Sequence, residues 1–133
     1  MPGRAERPEG LLFKARNDLA LAGLGLQAGV ALDGVCFHAQ QAVEKALKAV
    51  LALHQVNYPF THDLATLVGL SAAMHAEIRE FEDAAEDLMQ YAVAVRYDEE
   101  MYPDGETAAE AVAVAERVLT WASGIVKQYT EDS

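Results

Sequence analysis

The sequence predicts an all-α protein, an antiparallel up-and-down four-helix bundle with one short additional helix. Two observations lead there. Apolar residues recur at alternating spacings of three and four along most of the 133 residues, with no strand-like alternation, tandem repeat or low-complexity tract. Turn and cap signals then cut that pattern into five stretches. An apolar fraction of 52% with 23% charged residues fits a globular chain. The length fits one domain, taken as residues 9–130 after an N-terminal tail at 1–8.

The first helix is expected over residues 11–27, where Leu12, Ala15, Leu19, Ala22 and Leu26 share a face. Gly23, Gly25 and Gly29 weaken its second half, or permit a close helix–helix approach. The second, 34–54, aligns Val35, Ala39, Ala42, Ala46, Ala49 and Leu53. Val43, Leu47, Val50 and Leu51 widen that stripe, so this helix should be the most buried. Pro59 disfavours helix at Tyr58 and closes the segment. Thr61 reads as the N-cap of a short helix at 62–69, with Asp63 in its first turn. A fourth helix, 75–95, aligns Ile78, Phe81, Ala85, Leu88, Ala92 and Val95. Residues 96–106 form a loop closed by Pro103 and Gly105. Thr107 and Glu110 then make a capping box for a last helix that turns Ala108, Ala111, Ala115, Leu119, Ala122 and Ile125 inward.

Charge and absences narrow the function. The net charge of −11 is local: residues 1–76 carry six acids against six Lys/Arg, leaving fifteen against four in the remainder. Such a chain repels polyphosphate at long range, so non-specific nucleic-acid binding is not expected, although a short-range phosphate pocket stays open. Cys36 is the one cysteine, which excludes an intramolecular disulfide and a cysteine-based zinc site. No apolar run approaches membrane-spanning length, and no apolar stretch closely follows the charged N-terminus, so the expected compartment is the cytoplasm.

Glu-x-x-His, His-Glu-x-x-His, the phosphate-cradling Gly-x4-Gly-Lys-Ser/Thr and the Gly-x-Ser-x-Gly elbow do not occur. His62-Asp63 stands alone, and His38, His54 and His75 show no ligand spacing, so no metal site is expected. The run Glu77, Glu80, Glu82, Asp83, Glu86 and Asp87 reads as a solvated outer face. Two features are more pointed. His38, Gln41, Glu44, Lys45 and Lys48 stack along the central helix, with Glu44 and Lys48 suitably placed for an i,i+4 ion pair. This polar stripe is either a surface face or the wall of an interface or pocket. Arg96 lies among Tyr91, Tyr97 and Tyr102, where a guanidinium could hold phosphate and rings could stack on a base. The alternative is an Arg on last-turn carbonyls, with the tyrosines as core edges.

Four blocks carry a family resemblance: Leu12-Phe13-Lys14-Ala15-Arg16-Asn17-Asp18-Leu19, the run Phe37-His38-Ala39-Gln40-Gln41-Ala42-Val43-Glu44-Lys45-Ala46-Leu47-Lys48-Ala49-Val50-Leu51, Thr61-His62-Asp63-Leu64, and Tyr91 with Arg96-Tyr97. Together they resemble a HEPN (higher-eukaryote and prokaryote nucleotide-binding) domain over about residues 9–128. The resemblance implies an up-and-down four-helix bundle with a short extra helix, usually dimeric. Many members are ribonucleases, often toxins, with an Arg-x4–6-His site completed across a dimer. Others are non-catalytic companions of minimal nucleotidyltransferases.

Arg96 is followed in the allowed window by Met101, Tyr102 and Pro103, so the ribonuclease histidine is missing. An ordinary tyrosine is a poor base at neutral pH. The reading is therefore a non-catalytic, homodimeric binding module with no cofactor, a nucleotidyltransferase partner and a nucleotide as candidate ligand. Arg96, Tyr97, Lys45, Lys48 and Gln41 are the candidate pocket; His38, Glu44, His62, Tyr91 and Tyr102 are secondary candidates. The alternative is a metal-independent ribonuclease of toxin type with the histidine relocated to His38 or His62. In toxin members a tyrosine just beyond the histidine is where the companion attaches nucleotides, and Tyr102 lies near that place but out of register.

Overall fold

The structure, a computed structural model, describes residues 6–61, 63–91 and 102–131. It is helical, with no strand among the described residues. The elements are α1 (Pro8–Ala28), α2 (Leu32–Leu53), α3 (Leu64–Ala72), a 3₁₀ segment (Ala76–Phe81), α4 (Glu82–Leu88), a 3₁₀ turn (Met89–Tyr91) and α5 (Gly105–Glu131).

The α1–α2 hairpin is tight because its turn is built for reversal. Gly29 takes φ 70° and ends α1, with its N–H donating to the Leu26 carbonyl and the Val30 N–H donating to the Gly25 carbonyl. Gly25 has a second task. A Cβ there would stand 2.7 Å from Val35 Cγ2, so the missing side chain is what lets α2 come so near. The helix-weakening glycine thus serves the close approach that the sequence left as an alternative. Helix α1 starts three residues before the expected 11, at Pro8, where a proline in the first turn lacks only an N–H that has no intrahelical partner.

Helix α2 is the centre of the molecule. Its buried set includes Val35, Ala39, Ala42, Val43, Ala46, Leu47, Ala49, Val50 and Leu51, the wide stripe its sequence predicts. Helix α5 runs parallel to α2: Tyr102, just before α5, bonds the start of α2 through Leu32, and Tyr129, near the end of α5, packs on His54 just past the end of α2. Helix α1 is antiparallel to both, with Leu12 and Arg16 across from Ser123, Val126 and Lys127. The segment 76–91 completes the bundle, burying Ile78, Phe81, Ala85, Leu88 and Tyr91.

Three local expectations are corrected. The stretch expected as one helix at 75–95 is α4 flanked by two 3₁₀ pieces as far as Tyr91, and its remainder lies outside the described residues. Ile78 and Phe81, three apart, point inward equally well in the tighter winding, so the apolar pattern did not distinguish the two. The cap of α3 is Asp63, whose carboxylate accepts from the Ala65 N–H, and Thr61 instead accepts from the Asp63 N–H. The cap of α5 is Asp104, whose carboxylate accepts from the Thr107 N–H at 2.8 Å. That places Thr107 inside the helix rather than at its border.

Candidate functional site

The polar stripe of α2 is held in two different ways. At its upper half, Asp18 on α1 reaches across the hairpin. One carboxylate oxygen lies 2.8 Å from His38 Nδ1, and the other accepts from Lys45 Nζ at 2.5 Å. The Asp18 side chain is only 10% exposed. Its place follows from the sequence of α1, where Ala15, Asp18 and Ala22 fall at spacings of three and four on the buried face. A carboxylate accepts, so His38 Nδ1 carries a proton and donates it to Asp18.

One turn further on, Lys48 donates to Glu44 at 3.1 Å, the i,i+4 pair expected from the sequence. The Glu44 side chain is buried, and the Lys48 ammonium sits 5.7 Å from the centre of the Tyr58 ring. Desolvation pushes the Tyr58 hydroxyl above its ordinary pKa, with Glu6 adding to the effect. Gln41 donates to the Gln40 side-chain oxygen at 2.8 Å. The Gln40 amide nitrogen is buried without a hydrogen-bond partner. The face therefore contains two lysines, each matched by a carboxylate. It offers fixed donors rather than a patch of loose positive charge.

The other sequence candidates disperse. Tyr91 is buried in the 3₁₀ turn after α4. Tyr102 is half exposed, and its hydroxyl accepts from the Leu32 N–H at 3.0 Å, at the start of α2. Arg96, Tyr97 and His62 lie outside the described residues. In the acidic run, Asp83, Glu86 and Asp87 are exposed, as a solvated face requires. Among the described residues no three His, Cys, Asp or Glu side chains converge as metal ligands. No helix among them is long and apolar enough to cross a membrane.

Sequence reasoning missed Asp18, although an acid within the apolar stripe of α1 was a usable signal. It also missed a cluster at the other end of the bundle, where His54 and His75 place their Nε2 atoms 2.8 Å apart. Tyr129 lies edge-on to His54, with ring centres 4.9 Å apart. Trp121 Nε1 donates to Glu77 at 2.9 Å, and this bond holds the Glu77 carboxyl below its ordinary range.

Comparison with known proteins bears on the fold and on the family. A family model described as the HEPN domain matches residues 8–126. The crystal structure of an archaeal HEPN homologue superposes with a TM-score of 0.74 at 23% identity, covering 91% of this chain and 98% of that one. At that identity the likeness concerns the fold. No curated protein gives a significant match.

Proposed function

The chain belongs to the HEPN domain family, and from that premise we propose that it is a non-catalytic binding and interaction module, the companion of a minimal nucleotidyltransferase, with a nucleotide as candidate ligand. The observation that carries this reading is the charge-balanced face of α2, where Asp18 and Glu44 fix Lys45 and Lys48. An RNA-cleaving surface would have to attract a polyanion to a chain of net charge −11, and this face adds no excess positive charge to do so. Fixed, matched donors suit a base, a sugar or a protein surface. Arg96 and Tyr97, adjacent in sequence, remain the candidates for phosphate and base.

Calorimetric titration of ATP into the full chain tests the nucleotide part. Arg96→Ala should weaken binding by about 1–3 kcal/mol, the scale of a charged hydrogen bond, and Lys45→Gln should weaken it to a lesser degree, both with unchanged circular dichroism. Unaltered affinity in both variants removes these residues from the site.

The same reading includes a homodimer in a cytoplasmic setting. Its support is an apolar strip on the outer side of α1, where Phe13, Leu21 and Leu24 are 62%, 53% and 65% exposed. Leu24→Glu should convert the dimer to monomer in size-exclusion chromatography with light scattering, and an unchanged mass places the interface elsewhere.

One observation favours a second reading. A carboxylate, Asp18, holds the His38 ring through Nδ1, and a histidine oriented in this way is what a metal-independent ribonuclease with a relocated histidine needs. RNA cleavage that persists in EDTA and vanishes in His38→Ala would establish it and displace the first.

A further inference from the structure

His54 follows the last residue of α2, and His75 precedes the 3₁₀ segment at 76–81, so two separate elements deliver two imidazoles to one point. Their Nε2 atoms are 2.8 Å apart, so one nitrogen donates a proton that the other accepts. The rings are seated from several sides. Tyr129 stands edge-on to both, with centres 4.9 Å from His54 and 6.3 Å from His75, and Trp121 is edge-on to His75 at 6.1 Å. Behind His75, the Glu77 oxygen that accepts from Trp121 lies 3.8 Å from Nδ1.

We propose that His54 and His75 form a binding site for a borderline divalent transition-metal ion, of the class of Ni²⁺, Cu²⁺ or Zn²⁺, ligated through both Nε2 atoms. Imidazole nitrogen suits these ions, whereas Mg²⁺ and Ca²⁺ require oxygen ligands.

The fit requires a small movement. Two imidazoles on one tetrahedral ion, with bonds of about 2.0–2.1 Å, have their nitrogens about 3.3 Å apart, so the rings must separate by about half an ångström. Both stand at element ends, and each ring must also tilt within its packing so that the two Nε2 lone pairs meet at the ion. On loading, the proton shared by the two Nε2 atoms leaves to solvent and two nitrogen–metal bonds form. No third His, Cys, Asp or Glu joins the pair among the described residues, so water takes the remaining positions.

The chain contains a single tryptophan, Trp121, beside the site, and it is a built-in reporter because Ni²⁺ and Cu²⁺ quench nearby indole emission. The experiment titrates NiCl₂ into the full-length protein at pH 7.5, follows Trp121 fluorescence, and repeats the titration by calorimetry. The expected result is saturable quenching at one ion per chain, no response to MgCl₂, and wild-type behaviour in Asp83→Asn, a change on the exposed acidic face. His54→Gln and His75→Gln should each bind at least about tenfold more weakly, since each removes one of the two ligating nitrogens. Circular dichroism selects the folded variants. Should one histidine variant fail to fold, the other decides. Absence of saturable quenching up to millimolar NiCl₂, or equal affinity in the folded histidine variants, overturns the proposal.

Discussion

His38 and His75 each have a carboxylate beside Nδ1, and the two arrangements could hardly differ more in what they hold together. Asp18, beside His38, is buried between helices and also grips Lys45. Glu77, beside His75, is 59% exposed, and its hydrogen bond goes to Trp121 rather than to the histidine. The first region is fixed by opposite charges removed from water, and the second by rings packed edge to face. An ion pair gains strength as water leaves it, but its loss then strands a charge. The Asp18 face should therefore behave as a rigid, stability-bearing wall. The histidine pair at the far end should be nearly neutral for folding and free to rearrange.

The largest effect tests the rigid side. Asp18→Ala leaves Lys45 and His38 without their carboxylate and should cost about 2–3 kcal/mol in urea unfolding, between the values for exposed and buried pairs. Cys36 reports the same event independently. Burial, with a contribution from Asp33, pushes its thiol up to about 11, so in the native wild type it should resist iodoacetamide at pH 8. In Asp18→Ala, more frequent opening should expose it and speed alkylation.

Asp63→Ala, a cap outside both regions, serves as an internal ruler and should cost about 1 kcal/mol. The smallest effect tests the ring-packed side. Glu77→Gln should change stability by less than about 0.5 kcal/mol. The folded-state pKa of Glu77 is lowered, so its contribution is present above pH 4.5 and is lost as pH falls through the folded value. Glu77→Gln should therefore flatten a slight acid-side slope. A Glu77 variant as costly as Asp18→Ala would erase the contrast between the two regions.

Much of the fold was legible because helical spacing reports which side chains are buried. Ala39, Ala42, Ala46 and Ala49 are fully buried, and so are Ala108, Ala115 and Ala122 on α5. The spacing did not report backbone continuity, since Ile78 and Phe81 satisfy a 3₁₀ winding as well as an α one. The caps moved by two or three residues because Thr61 and Asp63, or Asp104 and Thr107, are chemically similar competitors and only the local hydrogen bonds choose between them.

The stripe of α2 could be read as a stripe, and Glu44 and Lys48 as a pair, because both features lie within one helix. The bridge from Asp18 could not, since it depends on the register of the α1–α2 hairpin, which Gly25 and Gly29 set. The His54–His75 contact was further out of reach: it joins two element ends, and Tyr129 enters from a third element distant in sequence.

The central claim is that this protein works by binding a partner through a built, charge-balanced surface. The most direct test is capture of the tagged chain from its own host, followed by mass spectrometry of everything retained. The account predicts a small nucleotidyltransferase in near-equal amount with the bait. The bait alone, together with RNA cleavage that withstands EDTA, would contradict it.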